Sequence, residues 1–464
     1  MLLPMSPANS MFLLAETRDY PMHVGSLQLY TPPDGANALD VRALLEQAIA
    51  DDLARPETAA APVFTKRPRR SLTTLGQWGW ENDKDFDLEH HVRRSALPQP
   101  GRVLELLALV SRLHSTLLDR RRPLWEMHLI EGLQDGRYAI YSKVHHSMMD
   151  GVSALRMLGR MLSPDARERG MPPPWAPRPP AKRESGGHES RSPAQQLLSA
   201  AGDAVGMGPA LGRSLVRALG DRGGSLAFSA PNSMFNVPIT GARRFAAQSW
   251  PIERIRAVSK AADGTVNDVV LAMCSGALRD YLLSLDALPE TSLIAMVPVS
   301  LHGEGSASGD GGGNAVGAVM CNLGTDKADA GERLETVHRS MDEGKSALRS
   351  MTPLQILMMS ALAMSPLAVW PALGLVGTMR PPFNVIISNV PGPQRPMFWN
   401  GAQLESVYPL SIPLDGQALN ITCVSYSDAI GFGLTGCRRS VPHLQRMLGF
   451  LDEELNALEK AVGV

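Results

Sequence analysis

The sequence predicts a mixed α/β protein built as two halves, each a sheet with helices, joined by a long crossover. Three observations carry this. Strand-like and helical runs alternate through the first half, the texture changes between about 163 and 242, and the alternation then resumes to the C-terminus. The expected division is a first domain over 1–162, a crossover linker over 163–242 and a second domain over 243–464.

In chain order, 24–30 reads as a short strand. Asp40 can cap a helix whose apolar residues Val41, Leu44, Leu45, Ala48 and Ile49 keep helical spacing. A Leu-rich run over 102–118 is a second helix. Residues 125–131 and 137–144 are strand-like runs around Asp135-Gly136, a dipeptide favoured in tight hairpins. The second of these runs leads straight into His145-His146. After Gly151, the spacing of Val152, Leu155, Leu158, Met161 and Leu162 opens another helix. The proline-rich run over 171–180, followed by a Ser/Gly/charge-rich stretch, predicts a partly extended, mobile crossover with an amphipathic helix near 194–219. Beyond it, 251–262, 265–284 and 441–461 read as helices. The runs 293–299, 315–323, 383–390, 419–426 and 430–436 read as strands. The glycine-rich 303–314 lacks the Gly-Lys-Ser/Thr of a phosphate loop and reads as a flexible surface loop.

Composition sets the bounds. The 464 residues exceed one compact core, since domains run to roughly 100–200 residues. Lys plus Arg is 45 against 46 Asp plus Glu, so nothing electrostatic points to nucleic acid. The basic runs Lys66–Arg70 and Arg120–Arg122 read as solvated faces. Cys274, Cys321, Cys423 and Cys437 are scattered, and read as reduced thiols of a cytoplasmic protein with neither a disulfide frame nor a zinc site. The first residues lack the pattern of a secretory signal. No Lys, Arg, Asp or Glu occurs over 350–379, but Pro353, Pro366, Pro371, Gly374 and Gly377 interrupt that run. Two short apolar helices joined by a bend fit it better than a membrane span. They could form a core hairpin, a lipid-facing surface or the wall of an acyl channel.

The segment His145-His146-Ser147-Met148-Met149-Asp150-Gly151 carries the chemistry. Acyl transfer to an alcohol or amine needs a base beside the attacking atom, and neutral imidazole suits that task near neutral pH. Adjacent strand residues point to opposite faces, so one histidine can serve the reaction while its neighbour packs behind. His146 is the expected general base and His145 its support. Asp150 is placed to hold the turn through an arginine, with Arg67 as a candidate, and Gly151 allows positive φ or a close backbone approach. A metal site would need further ligands that local spacing does not offer. His90-His91 lies in a polar stretch and reads as surface. No Gly-x-Ser-x-Gly elbow occurs, which disfavours a serine hydrolase. Trp125 is expected to pack on the hairpin. Thr265 with Asp268 fits a capping box. Asn267 in that first turn could donate to an oxyanion, or could simply complete the cap with Asp268.

Together with Pro21–Gly25, Pro123-Leu124-Trp125-Glu126, Asn267-Asp268-Val269-Val270, Met296–Ser300 and Ser388-Asn389-Val390-Pro391-Gly392-Pro393, the histidine motif resembles the bifunctional wax ester synthase/diacylglycerol acyltransferase family. That family lies within the chloramphenicol acetyltransferase-like and condensation-domain superfamily, and the resemblance spans nearly the whole chain. It implies two domains of that fold with the active site at their interface. It also implies fatty acyl-CoA as co-substrate, no cofactor or metal, and a long-chain alcohol or diacylglycerol as acceptor. Transfer would be direct, with no acyl-enzyme. Asp150 would be structural, and Gly151, Asp268 and Asn389 would border the substrate. Peripheral contact with membranes or lipid inclusions is expected, since substrates and products reside there. A condensation-type enzyme moving carrier-bound acyl groups to an amine shares the base chemistry and is the alternative. A lipid-binding protein without turnover is a third reading.

Overall fold

The protein is described from a computed structural model over residues 3–33, 42–43, 46–47, 49–50, 60–71, 76–177, 230–300, 316–352, 355–356, 370–371 and 373–464. Much of the helix expected after Asp40 lies outside these residues. So do the amphipathic stretch 194–219, the loop 303–314 and most of 354–364.

In chain order the first half holds β1 (Leu3–Pro4), α1 (Pro7–Ala15), β2 (His23–Thr31), β3 (Lys66–Arg70), β4 (Trp78–Asn82), α2 (Leu88–His91), β5 (Val92–Ala96), α3 (Val103–Ser115), β6 (Trp125–Glu131), β7 (Tyr138–His145) and α4 (Gly151–Met161). The second half holds β8 (Arg243–Pro251), α5 (Ile252–Ala261), α6 (Val266–Leu283), β9 (Ile294–Ser300), β10 (Val316–Asn322) and α7 (Ala330–Arg349). It continues with β11 (Val385–Pro391), β12 (Phe398–Trp399), β13 (Ala402–Leu410), β14 (Leu419–Tyr426), β15 (Ala429–Cys437) and α8 (Arg446–Val462). Mixed α/β architecture in two sheet-based units is therefore what the chain adopts.

Local chemistry explains the key elements. Gly136 takes φ 79°, the left-handed conformation that the β6–β7 turn needs. α1 starts at Ser6, whose side chain accepts the Asn9 N–H, with proline in its first turn. The expected Thr265/Asp268 capping box opens α6. Residues of α6 face core on nearly all sides, because the second sheet, α7 and α8 enclose it.

Strand order is β12-β13-β2-β7-β6-β5 in the first six-stranded sheet and β10-β9-β11-β14-β15-β8 in the second; β1-β4-β3 forms a small third sheet. The expected boundary at 243 does not divide these sheets. β12 and β13 come from the second half of the chain but complete the first sheet, with β13 antiparallel to β2. β13 rides on the face of the second sheet, and glycines permit the approach. A Cβ on Gly431 would stand 2.5 Å from the Val407 carbonyl oxygen, and one on Gly433 1.9 Å from that of Pro409.

Strand alternation gives each sheet two environments. On the first sheet, Tyr138 and Ile140 join Leu158 and Met161 of α4 in one cluster, while Ala139 and Tyr141 join Leu106 and Val110 of α3 in another. On β14 of the second sheet, Leu419, Ile421 and Cys423 belong to the helix-covered core, while Val424 and Tyr426 face the first sheet. Among the described residues no helix is long and apolar enough to cross a membrane. All four cysteines are buried free thiols.

Candidate active site

A cavity of about 740 Å³ lies in the angle between the two six-stranded sheets. Its first-sheet wall comes from α1, β2, β6, β7 and α4, and its second-sheet wall from β9, β11, β14 and the segment after β13. The lining is mostly apolar, with Met22, Trp125, Met127, Leu158, Met161 and Ile386 among it, which suits an alkyl chain.

His146 is on this wall. β7 carries alternate side chains to the cavity, so Ser142, Val144 and His146 line it. Backbone bonds fix the two histidines in turn: the His145 N–H donates to the Leu124 carbonyl at 2.9 Å, and the His146 N–H to the Met22 carbonyl at 2.8 Å. The His146 ring stacks on Phe12 of α1, with centroids 4.1 Å apart and planes at 23°. Burial pushes its pKa below the usual 6.5, partly offset by the Asp150 carboxylate. A neutral, base-competent imidazole follows.

His145 points the opposite way and is fully buried. The Ser147 N–H donates to its Nδ1 at 3.1 Å and the Ser147 hydroxyl lies 2.7 Å away, so Nδ1 accepts and the neutral ring carries its proton on Nε2. That nitrogen faces Glu16 Oε1 at 3.5 Å. Glu16, just past α1, accepts the Met22 N–H at 3.0 Å and Nε of Arg120 at 3.0 Å. Burial pushes the Glu16 carboxyl up, but His145, Met22 and Arg120 together outweigh it and hold it below the usual carboxylate range. Arg120, expected on a solvated face, thus anchors a buried acid because the α1 end folds over it.

Further along the same face, Lys143 is buried and donates to the Leu113 and Thr116 carbonyls at 3.1 and 2.8 Å, with Glu126 Oε2 at 3.2 Å. Burial pushes the Glu126 carboxyl up, but His128, Lys143 and Arg93 bring it down to about 2. His23 donates to the His114 carbonyl at 2.8 Å. A ladder of buried ionisable groups therefore runs along this wall, and Glu126 and Lys143 are themselves among the residues that border the cavity.

The other expected residues divide. Asp150 caps α4, accepting the Ser153 N–H at 2.7 Å, and lies on the cavity wall. Its proposed partner Arg67 instead pairs with Glu81 and Asp83 across the β3–β4 ribbon, because β3 belongs to the third sheet. Gly151 lines the cavity, but needs neither positive φ nor close packing: a Cβ there would meet nothing within 4 Å. Asn267 and Asp268 are not among the cavity-lining residues. Asp268 is buried, accepts the Thr265 N–H at 2.9 Å and lies 3.0 Å from His338 Nδ1 on α7, so it ties helices together. Asn389 is not on the wall either. It pairs with Cys423 on the helix-facing side, while its neighbours Ser388 and Val390 line the cavity. His91 is buried, not surface: its Nδ1 donates to the Trp125 carbonyl at 2.7 Å and its ring stacks on the Trp125 indole. That indole lines the cavity and donates to the Phe64 carbonyl at 2.8 Å.

Sequence reasoning missed Phe12, Glu16, Lys143 and Glu126. A lysine and a glutamate inside otherwise apolar strand runs were the available signal, since such charges are rarely buried unless paired. It also missed the inward polar residues of β14, Asn420 and Thr422.

Residues 5–270 match the model of the wax ester synthase/diacylglycerol acyltransferase catalytic domain, and 312–459 that of the corresponding C-terminal domain. A probable diacylglycerol O-acyltransferase of Mycobacterium tuberculosis is 49% identical over 462 residues, covering 99% of both chains. Among solved structures, a wax ester synthase/diacylglycerol acyltransferase from Marinobacter aquaeolei is 43% identical with TM-score 0.78, covering 99% of this chain and 100% of that one. The starter condensation domain of rhizomide synthetase shares the fold at 14% identity and TM-score 0.58, covering 100% of this chain and 95% of its own.

Proposed function

The chain belongs to the wax ester synthase/diacylglycerol acyltransferase family, and from that premise we propose that it moves a fatty acyl group from acyl-CoA to diacylglycerol or a long-chain alcohol, with His146 as the general base. The observation that carries this reading is the half-buried, neutral imidazole of His146 on the wall of an apolar cavity large enough for lipid chains.

The acceptor hydroxyl gives its proton to His146 as its oxygen attacks the thioester carbonyl carbon. The tetrahedral intermediate then expels the sulfur of coenzyme A. His146 returns the proton to that sulfur, so ester and free thiol leave together and no acyl-enzyme forms. The stack on Phe12 and the bond to Met22 hold the imidazole, and α4, started by Asp150, closes the cavity around it. No cofactor or metal enters these steps; acyl-CoA is a co-substrate. Contact with a lipid surface belongs to the same reading. Its support is Met11 and Leu14 on α1, 56% and 58% exposed, with Met11 also on the cavity wall.

The test supplies palmitoyl-CoA with dioleoylglycerol or hexadecanol and measures lipid ester and free thiol. Wild type is expected to form both in equal amounts, and His146→Ala to lose roughly 10³-fold or more in kcat while folded. A folded His146→Ala variant at full rate overturns the assignment of the base.

A further inference from the structure

We propose that the side-chain amide of Asn420 is the hydrogen-bond donor that holds the acyl carbonyl oxygen as it becomes an oxyanion; this rests on the acyl-transfer reading above. Transfer through a tetrahedral intermediate needs such a donor opposite the base. Asn267 does not reach the cavity. On the second-sheet wall, β14 turns Asn420 and Thr422 inward, whereas Leu419, Ile421 and Cys423 go to the helix-covered core. Apolar side chains would line an alkyl cavity at lower desolvation cost, so two buried polar ones there call for polar partners.

The local hydrogen bonds define what Asn420 presents. Thr422 Oγ1 donates to Asn420 Oδ1 at 2.9 Å, and the Ser411 hydroxyl lies 2.8 Å from Thr422 Oγ1. The amide oxygen is thus occupied, and among the described residues Nδ2 meets no acceptor. A side chain that is 5% exposed and borders the cavity therefore keeps both N–H donors for what enters it.

Register sets the two groups at one end of the cavity. Leu410 on β13 pairs with Gly25 on β2, which pairs with Lys143 on β7. Ser411 is one residue beyond Leu410, and His146 three beyond Lys143, in the same direction. Ser411 and Thr422 hold Asn420 beside this end of β13, so the imidazole and the amide border the same cavity from facing sheets. As the acceptor oxygen bonds to the carbonyl carbon, the C=O electron pair moves to oxygen and the Asn420 N–H groups hold it. The carbonyl re-forms when the C–S bond breaks and sulfur takes the proton from His146. Thr422 acts through Asn420 as a positioning residue.

The experiment compares wild type, Asn420→Ala, Asn420→Asp, Thr422→Val and Thr422→Ser in the full chain with palmitoyl-CoA and dioleoylglycerol. Asn420→Ala is expected to lower kcat about 10²-fold, with KM for palmitoyl-CoA changed less than about threefold. Asn420→Asp, isosteric but an acceptor where a donor is needed, loses a similar amount and covers the case in which alanine does not fold. Thr422→Val loses about tenfold in kcat, and Thr422→Ser restores it. Binding separates catalysis from structure. Asn420→Ala should keep its affinity for palmitoyl-CoA and lose about 10²-fold for a trifluoromethyl-ketone analogue that adopts a tetrahedral carbon. Unimpaired kcat in folded Asn420→Ala or Asn420→Asp, with active wild type, overturns this assignment alone. Equal loss for both ligands also overturns it. Wild type that makes no ester overturns the acyl-transfer reading with it.

Discussion

The two walls of the cavity are built on different physics. The first-sheet wall presents His146 and is backed by buried ionisable groups: Glu16 with Arg120, Lys143 with Glu126, and His23 beside His114. The second-sheet wall presents Asn420 and Thr422 and is backed by the hydrocarbon of α6 and its neighbours. A base must keep one orientation and one tautomer while its charge changes, and hydrogen-bonded charges behind it supply direction that hydrocarbon cannot. Among the described residues the opposite wall bears only neutral groups. Its requirement is distance, and close packing across β13 meets it.

The sharpest way to break the second wall is at that seam. Gly433→Ala drives a Cβ to 1.9 Å from the Pro409 carbonyl oxygen, a backbone atom that cannot swing aside. The expected cost is about 3 kcal/mol or more, read as a lower urea midpoint, and ester formation should fall as the walls separate. Full stability in Gly433→Ala would mean that β13 and β15 are not held as described.

Breaking the first wall should cost rate before stability. Glu16→Gln keeps the shape of the side chain but removes the charge that faces His145 Nε2 and compensates Arg120. Turnover is expected to fall about 10-fold to 100-fold, roughly 1.4–2.8 kcal/mol, with folding and KM for acyl-CoA largely retained. Unchanged kcat in this variant would show that the buried acid does not position the histidine motif.

Legibility in the sequence follows the same division. The β6–β7 hairpin, the Thr265/Asp268 cap and β14 were readable because Asp135-Gly136, a cap three residues ahead of its partner and a bounded apolar run are local signals. The same locality placed His146 just past the end of a strand, where it borders the cavity. Pairings between distant segments were not readable. β13 joins β2 across most of the chain, so a division at 243 does not separate the two sheets, and the face taken by Asn389 depends on parallel pairing with β14. His90-His91 looked polar because its neighbours in sequence are polar, but the Trp125 indole that buries His91 comes from another strand. α1 was missed although Ser6 and Pro7 mark its start, and with it went Phe12 and Glu16.

The Asn-Asp motif tests whether the second wall depends on stability alone. Asp268→Ala removes the acceptor for the Thr265 N–H and the partner of His338, with an expected loss of about 1–2 kcal/mol. Activity should track the folded fraction and recover at lower temperature. A loss of kcat in fully folded protein would instead bring this motif into the chemistry.

The smallest expected effect is a shift in pH dependence, and it probes the first wall most directly. His146 must be neutral to accept a proton, so kcat/KM is present above its pKa and lost as pH falls through it. Burial holds that pKa below 6.5, and the Asp150 carboxylate acts in the opposite direction. Asp150→Asn keeps a side chain able to accept the Ser153 N–H at the start of α4, but removes the negative charge. The protonated imidazole loses a stabilising neighbour, the pKa falls further, and the acid limb moves to lower pH by a few tenths of a unit to about one. The limb is measured as kcat/KM against pH for both proteins. A limb that stays in place would mean that Asp150 acts on His146 only through the shape of the turn, and a limb that moves upward would show that the titrating group is not His146.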